Sequence, residues 1–133
     1  MKMQTDMYKE VDLTKKIIGV AMRVHNKIGP GFPEKIYHQA MIIALDKEGL
    51  GIESEKEIDI LYEDTYVGTF RLDLIINNKV VIELKAVSGE IPRVFQTQTI
   101  SYLKASKIEI GLLINFGNER LEVKRLARYK NYQ

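Results

Sequence analysis

The sequence predicts an α/β domain in which helices flank a mixed central β-sheet. Apolar residues recur at helical spacing in the first third of the chain and alternate with polar residues in the middle third. The last third holds another helical segment and a nearly continuous apolar run. This order of elements suits a sheet covered by helices. Because no repeat or linker interrupts the 133 residues, we expect a single domain over residues 1–133 with a core from about 12 to 127.

The first two helices are predicted from apolar stripes and helix-breaking residues. The first is expected over about Leu13–Ile28, with Asp12 as N-cap and a Gly-Pro-Gly break at 29–31. Its apolar stripe is predicted to be Leu13, Ile17, Ala21, Val24 and Ile28. The second is expected from Pro33 to Glu48, where Gly49 ends it. Its buried stripe is predicted to be Ile36, Ala40, Ile43 and Ala44, and the adjacent face carries Glu34, Tyr37, His38 and Met41.

The middle and last thirds predict the strands of the sheet. Alternation begins at Ile58, continues after a turn at 63–65, and runs through Tyr66–Ile76 with Phe70, Leu72, Leu74 and Ile76 on one face. A third strand is predicted over Val80–Val87 and a third helix from Pro92 to Lys104. The run Ile108–Phe116 suits a strand buried on both faces, and residues around Leu121 and Val123 are expected to add an edge strand.

Two opposite charges interrupt the third strand. Glu83 and Lys85 are two residues apart, so they share a face with Val81. A salt bridge on a solvated sheet face explains this pair by itself. Asp73 in the preceding strand weakens that interpretation, because two carboxylates about 5 Å apart repel by roughly 3 kcal/mol at an effective dielectric near 20. A divalent cation offsets this repulsion, and oxygen ligands favour Mg²⁺ or Mn²⁺.

The register of the hairpin decides whether the two acids meet. A two-residue turn at Asn77-Asn78 would point Asp73 and Glu83 to opposite sides of the sheet. A three-residue loop, Asn77 to Lys79, places them directly opposite each other. We therefore predict the three-residue loop, or a bulge with the same effect.

These residues resemble a known nuclease signature. Asp73, a nine-residue gap and Glu83-Leu84-Lys85 are similar to the D…(D/E)xK motif of the PD-(D/E)xK nuclease superfamily, although Leu72 replaces its proline. Residues 31–37, Gly-Phe-Pro-Glu-Lys-Ile-Tyr, resemble the GxxExxY motif of a small family within it. Residues 98–102, Gln-Thr-Ile-Ser-Tyr, resemble the QxxxY motif of its recombination-nuclease branch, and residues 111–116 resemble the late strand of the family.

The resemblance implies a restriction-endonuclease-like core and a role for each site residue. Asp73 and Glu83 would be metal ligands, with the Leu84 carbonyl as a third, and Lys85 would act on the attacking water. Glu34 would be a further ligand or support the ligands, unless it only stabilises a helix N-terminus. Gln98 and Tyr102 would orient the water and contact a phosphate, unless they belong to an ordinary amphipathic helix.

Composition excludes several other chemistries. The chain contains no cysteine, which rules out disulfides, zinc–thiolate sites and cysteine nucleophiles. It contains neither a Gly-x-Ser-x-Gly elbow nor a phosphate-binding glycine loop. Tyr37 is expected to pack, and His25 and His38 are expected to be structural. The polar first ten residues and the short apolar runs lead us to expect a cytoplasmic protein that does not enter a membrane.

The sequence leaves two main functions open. The first is an Mg²⁺-dependent phosphodiesterase acting on nucleic acid, with DNA the expected substrate. The second is a binding module for nucleic acid or protein that keeps the nuclease fold without catalysis, because the net charge is only +2. A structural charge cluster without a ligand is the third interpretation. Four basic residues between Lys124 and Lys130 form either a solvated tail or a phosphate contact. A homodimer or an unidentified protein partner would supply missing contacts.

Overall fold

Helices and strands follow one another in the predicted order. The computed structural model describes residues 9–128. The helices are α1 (Val11–Ile28), α2 (Glu34–Lys47) and α3 (Arg93–Ser106), and the strands are β1 (Ile52–Tyr62), β2 (Thr65–Ile76), β3 (Val80–Lys85), β4 (Ile110–Asn115) and β5 (Glu122–Ala127). The α-α-β-β-β-α-β-β order is confirmed.

The five strands lie in the sheet in chain order. β1, β2 and β3 form an antiparallel meander, β4 runs parallel to β3, and β5 pairs antiparallel with β4. Parallel strands need a crossover connection, which α3 provides between β3 and β4. All six residues of β4 are buried, which confirms the prediction from its apolar run. The sheet is therefore mixed, as expected.

Helices cover both faces of the sheet. The larger apolar cluster joins α1 and α2 to β2, β3 and β4, and Ile17, Met41 and Leu112 in it are fully buried. A smaller cluster on the other face joins Leu103 of α3 to Val81 of β3. This smaller cluster matters most for the site, because Glu83 and Lys85 share the face of Val81. None of the helices described is long and apolar enough to cross a membrane.

Helix α1 begins earlier than predicted. The N-cap residue is Glu10, and the N–H of Thr14 donates to the Glu10 carbonyl at 2.9 Å. Asp12 therefore lies in the first turn, where its charge favours the helix dipole, and its prediction as N-cap was wrong. The predicted stripe is otherwise confirmed, since Ile17, Ala21 and Val24 are buried.

Helix α2 buries a different face from the one predicted. Tyr37, Met41 and Leu45 are fully buried, whereas Ile36 and Ile43 are 39% and 60% exposed. The predicted stripe was wrong for Ile36 and Ile43, because long-range contacts decide between two apolar faces, whereas Ala40 and Ala44 are partly buried and pack against the larger cluster as expected. The Tyr37 ring stacks on Phe116 at 4.7 Å, and its hydroxyl donates to the carbonyl of Gly29 at 2.6 Å. The packing role expected for Tyr37 is confirmed.

Strand β1 is longer than the alternation suggested. It begins at Ile52, six residues before Ile58, and the missed segment is rich in charged residues with little alternation. β3 pairs only with residues 74–76 of β2. Residues 55–71 therefore form a two-stranded arm of the sheet that extends past the end of β3. The arm turns at Glu63 and Asp64, both with positive φ, which is the backbone of a tight hairpin turn.

The loop between β2 and β3 has the predicted three residues. Leu74 pairs with Ile82, Ile75 with Val81 and Ile76 with Val80. The residues of each pair sum to 156, the register that we predicted. Asn77 and Asn78 both have positive φ, which asparagine tolerates better than most residues.

The alternation of β2 changes at Asp73. Leu74 and Ile76 belong to the larger cluster, but Leu72 packs with Ile75 and Val81 in the smaller one. The prediction that Leu72, Leu74 and Ile76 share one face was therefore wrong. The irregularity coincides with one in the neighbouring strand. Glu55 of β1 lies opposite Asp73, has a φ of 55°, and forms no ladder pair with it.

The loop after β3 is held by buried polar contacts. Asn115 is fully buried, and its amide donates to the Val87 carbonyl and accepts from the Val87 N–H, both at 2.9 Å. Gly117 lies against the same segment. A Cβ at Gly117 would stand 2.4 Å from the Val87 carbonyl oxygen, so the backbones can approach only because that side chain is absent.

The basic segment near the C-terminus is partly engaged within the molecule. Arg125 donates to the carbonyl of Lys9 at 2.7 Å and to the Thr14 hydroxyl at 3.3 Å. Lys124 is exposed in the edge strand β5. Lys130 lies outside the described residues. The choice between a solvated tail and a phosphate contact therefore stays a prediction.

Candidate active site

Asp73 and Glu83 meet where the β2–β3 ladder ends. The N–H of Asp73 donates to Glu83 Oε1 at 3.2 Å, and the N–H of Leu84 donates to Asp73 Oδ2 at 2.8 Å. Each carboxylate thus accepts a hydrogen bond from a backbone N–H of the opposite strand. These two bonds replace the next pair of backbone hydrogen bonds in the ladder. The predicted meeting of the two acids is confirmed, and the strands open there without leaving their N–H groups unpaired.

Burial makes this pair of carboxylates unusual. Glu83 is only 5% exposed, and burial together with the charge of Asp73 raises its pKa to about 8. Burial also raises the pKa of Asp73, against the effects of the Leu84 N–H and the nearby His38 and Lys85. A buried glutamate and a half-buried aspartate that both resist ionisation form a site where an added positive charge is strongly favoured.

Lys85 lies beside the acids at the end of β3. Its Nζ stands 4.3 Å from the centre of the Phe95 ring, in the geometry of a cation–π contact. Its charge opposes the raised pKa of Glu83, so the ammonium is close to the carboxylate pair. Phe95 belongs to the first turn of α3, and this helix therefore limits where the Lys85 side chain can point.

Helix α2 brings Glu34 and His38 towards the same site. Burial and then the charge of Asp73 raise the pKa of Glu34, whereas Lys85 and His38 lower it. His38 is buried, and its Nε2 shares a hydrogen bond of 2.9 Å with the Ser54 hydroxyl. The sequence assigned His38 only a structural role. Its spacing of four residues from Glu34 was the signal that could have placed it here.

Helix α3 supplies the remaining predicted residues. Tyr102 stacks on Phe70 of the arm at 4.6 Å. Burial, followed by the charges of Glu83 and Asp73, raises the pKa of Tyr102, so this hydroxyl lies on the side of the acidic pair. Gln98 lies one helical turn earlier and is exposed to solvent. The structure thus brings Tyr102 towards the acids, while Gln98 borders the same helix face.

The donor set fits a hard divalent cation. The metal-binding atoms that Asp73 and Glu83 offer are all oxygens, the ligands that hard cations prefer. Two ionised carboxylates without a nearby positive charge are unfavourable here, as the raised pKa of Glu83 indicates. Within residues 9–128, however, no group of three or more His, Asp or Glu side chains is arranged to hold a metal ion. The acidic pair and the Leu84 backbone therefore form the centre of the candidate site, and ligation by Glu34 stays a prediction.

The fold and these residues define a class of protein. A mixed sheet of five strands carries an aspartate and a glutamate at the junction of two central strands, with a lysine two residues further on. The chain matches the family model described as PD-(D/E)XK nuclease superfamily over residues 11–126. The chain belongs to this superfamily, whose nucleases generally depend on divalent metal ions.

A solved structure shares the fold. The chain is similar to the protein of "Crystal structure of SSO0001", with a TM-score of 0.58 and 23% sequence identity. The similarity covers 71% of this chain and 49% of the SSO0001 chain, so the matched region is about half of that protein. At this identity the comparison establishes a restriction-endonuclease-like fold. A search of curated proteins found no match.

Proposed function

We propose that this chain is a nuclease that hydrolyses phosphodiester bonds in nucleic acid with Mg²⁺ or Mn²⁺, and that DNA is its substrate. The observation that carries the proposal is the contact between Asp73 and Glu83 across the Leu84 backbone, with Lys85 beside it. Ionising a buried glutamate beside a half-buried aspartate is costly without a bound cation. Membership of the PD-(D/E)XK superfamily supports nuclease activity at this site.

Asp73 and Glu83 would hold the metal ion, with the Leu84 carbonyl as a third ligand. Glu34 would either bind the ion or hydrogen-bond its ligands from α2. The bound ion would supply Lewis-acid activation of the phosphoryl group and a water of lowered pKa.

Lys85, Gln98 and Tyr102 would act on the water and the phosphate. Lys85 would hold the attacking water or, as the neutral amine, help to remove its proton, and as the ammonium it would stabilise the negative charge that grows on the phosphoryl oxygens. Phe95 would keep that ammonium directed at the site. Gln98 and Tyr102 would orient the water and donate hydrogen bonds to a neighbouring phosphate.

Metal-dependent cleavage tests the proposal directly. Freshly purified protein is incubated with single- and double-stranded DNA and RNA, in Mg²⁺, in Mn²⁺ and in EDTA. We expect metal-dependent products that Lys85→Ala abolishes and Lys79→Ala leaves unchanged. Lys79 is a suitable control because it is an exposed lysine at the other end of β3. Absence of cleavage of every substrate, with both metals, would overturn the enzymatic proposal.

A binding module without catalysis is the second candidate function. The observation in its favour is that residues 9–128 contain no cluster of three acidic or histidine side chains suited to a metal ion. Calorimetric titration with Mn²⁺ separates the two functions. A catalytic site binds the ion and loses it in Asp73→Asn, whereas a binding module need not bind it at this pair.

Finer assignments rest on the motifs. The GxxExxY match at residues 31–37 supports membership of that family within the superfamily, since the motif residue Tyr37 is buried and the charge of Asp73 acts on the motif residue Glu34. The small net charge of +2 supports a homodimer or a protein partner that adds contacts to the substrate. Sedimentation of the purified protein, alone and with DNA, tests this assignment.

A further inference from the structure

The end of the arm carries an exposed apolar surface. Four large apolar side chains surround its turn, each 58–67% exposed: Leu61, Tyr62, Tyr66 and Val67. Single exposed apolar residues are normal, but four within seven positions form a patch of the kind that marks interaction sites. The turn between them is acidic, since Glu63 and Asp64 are exposed and form no ion pair with residues 9–128. These six residues are called the arm tip below.

The arm tip projects from the body of the domain. The base of the arm packs on α3 through the ring of Phe70. Thr65, at the start of β2, is five residues further out, which is about 16 Å at 3.3 Å per residue of strand. The exposure of the arm tip therefore follows from its position, because the part of the chain that the structure describes leaves these side chains in solvent.

A groove with the opposite charge lies between α1 and α2. Its volume is about 430 Å³, and its apolar lining comes from both helices: Val24, Ile28, Ala40, Ile43 and Ala44. The charged residues that line it are all basic, namely Arg23, Lys27 and Lys47. Arg23 pairs with Glu48 at 3.3 Å, whereas the two lysines form no ion pair with residues 9–128. This surface is called the helix groove below.

The arm tip and the helix groove complement each other. Both have an apolar centre, and two carboxylates on the tip correspond to two lysines beside the groove. Opposite charges around an apolar contact steer association and fix its orientation. Within one chain the two surfaces lie apart, because α2 contacts β1 at Ser54, and Tyr62 lies eight residues, or about 26 Å, further along that strand. The complementary surfaces can therefore meet between two copies of the chain.

The area of the contact favours a reciprocal exchange. Aromatic side chains bury about 150–250 Å² each, so the exposed fractions of the four apolar residues would bury roughly 400 Å² of the arm tip. With a similar area of the helix groove, one contact buries roughly 800 Å², which is below the roughly 1,200–2,000 Å² of stable interfaces. Two copies that each dock their arm on the other bury roughly 1,600 Å² and close with twofold symmetry.

We propose that this chain forms a symmetric homodimer in which the arm tip of each copy docks in the helix groove of the other. The apolar side chains of the tip would cover Ile43, and Glu63 and Asp64 would face Lys27 and Lys47. This interface specifies the homodimer of the proposed function, and it does not depend on catalysis. Because the arm continues into the strand that carries Asp73, the exchange would also fix the distance between the two candidate sites.

Sedimentation of the full chain with charge-reversed variants tests the interface. Glu63→Lys with Asp64→Lys, or Lys27→Glu with Lys47→Glu, places like charges across both contacts and should weaken the dimer about tenfold. In an equimolar mixture of the two variants, opposite charges meet again in both contacts. We therefore expect heterodimers at a concentration where neither variant associates with itself. This recovery also shows that both variants are folded.

Matched variants separate the interface from net charge and from apolar area. Lys15→Glu with Lys16→Glu makes the same change in charge at exposed positions of α1 and should leave the dimer unchanged. Tyr62→Ser should weaken the dimer about tenfold, as truncation of a central interface aromatic does. Val94→Ser, at a residue of α3 that is 55% exposed, should have little effect.

Introduced thiols identify which surfaces meet, because the native chain contains no cysteine. Thr65→Cys, beside the arm tip, is mixed with Ile43→Cys, in the helix groove, and treated with a short bis-maleimide crosslinker. We expect a covalent dimer with one copy of each variant. Thr65→Cys mixed with Met22→Cys is the control and should give little product, although Met22 of α1 is also exposed, at 53%.

Several results would overturn the inference. They are a wild-type chain that stays monomeric at the highest soluble concentration, a mixture of charge-reversed variants that behaves like each variant alone, and stronger crosslinking to Met22→Cys than to Ile43→Cys. Oligomers that grow beyond the dimer would also overturn it, because an exchange that does not close forms open chains.

Cleavage assays on the same samples separate the dimer from the nuclease. A monomeric chain that cleaves nucleic acid would remove the dimer and leave the nuclease. A dimer with the expected crosslink that cleaves no substrate would remove the nuclease and leave the dimer.

Discussion

Replacing Glu83 by glutamine should abolish a pH dependence of stability that the metal-free protein owes to this residue. The pKa of Glu83 is raised from 4.5 to about 8 by burial and by Asp73. An acid with a raised folded pKa stabilises the fold while it is protonated. Its contribution is fully present below the unfolded pKa and is lost as the pH rises through the folded pKa.

The size of the effect follows from the two pKa values. Between pH 5 and pH 7.5 the unfolded chain releases the Glu83 proton while the folded chain largely keeps it. At 1.36 kcal/mol per pH unit, the wild-type fold should lose about 3 kcal/mol over this interval through Glu83. Glu83→Gln also changes the free energy of unfolding because it buries an amide, but this cost is the same at both pH values. It therefore cancels when the two pH values are compared, and wild type is a sufficient reference.

Urea denaturation in EDTA at several pH values measures this contribution. We expect the difference in free energy of unfolding between Glu83→Gln and wild type to grow by about 3 kcal/mol in favour of the variant from pH 5 to pH 7.5. Glu57→Gln, on an exposed glutamate of the arm, is the matched control and should follow wild type. Parallel curves for wild type and Glu83→Gln would refute the account of a buried, mutually repelling pair.

The same variant tests the metal. Saturating Mg²⁺ or Mn²⁺ should stabilise wild type, by about 2.7 kcal/mol at a hundred times the dissociation constant, because the ion binds the folded state. Glu83→Gln should lose most of this gain. If the ion stabilised wild type and Glu83→Gln equally, its binding site would have to lie away from Glu83.

Three further predictions concern the scaffold and use thermal or urea unfolding. Gly117→Ala should destabilise the fold by about 2 kcal/mol or more through a backbone clash, whereas Gly68→Ala, which meets nothing within 4 Å, should cost far less. Met41→Ala should cost about 2–5 kcal/mol and Ile43→Ala under 1 kcal/mol, and equal costs would contradict the observed face of α2. Tyr37→Phe should cost about 1 kcal/mol, because its hydroxyl donates to the Gly29 carbonyl and accepts from the Phe32 N–H, and an unchanged stability would argue against these hydrogen bonds.

Local patterns predicted much of the scaffold. The order of elements follows from periodicity and from Gly, Pro and Asn at their ends, because these signals act within a few residues. The loop of Asn77 to Lys79 is the clearest example. It set the register that brings Asp73 and Glu83 together, and both could be identified from charges placed in apolar strands.

Long-range contacts decided what the local patterns left open. Helix α2 has two apolar faces, and only the sheet, with Phe116 under Tyr37, determines which is buried. The same choice turns Glu34 and His38 towards Asp73. The change of face at Asp73 depends on the irregular backbone of Glu55 in the neighbouring strand, which no pattern within β2 contains.

The sequence by itself determined the elements, the hairpin register and the acidic pair with its lysine, since each depends on residues close together in the chain. Only the tertiary structure decided the burial of Glu83, the approach of His38 to the acids, and the stacking of Tyr102 in α3 on Phe70. The physical reason is that desolvation and charge–charge interactions depend on distances between segments that are remote in the sequence.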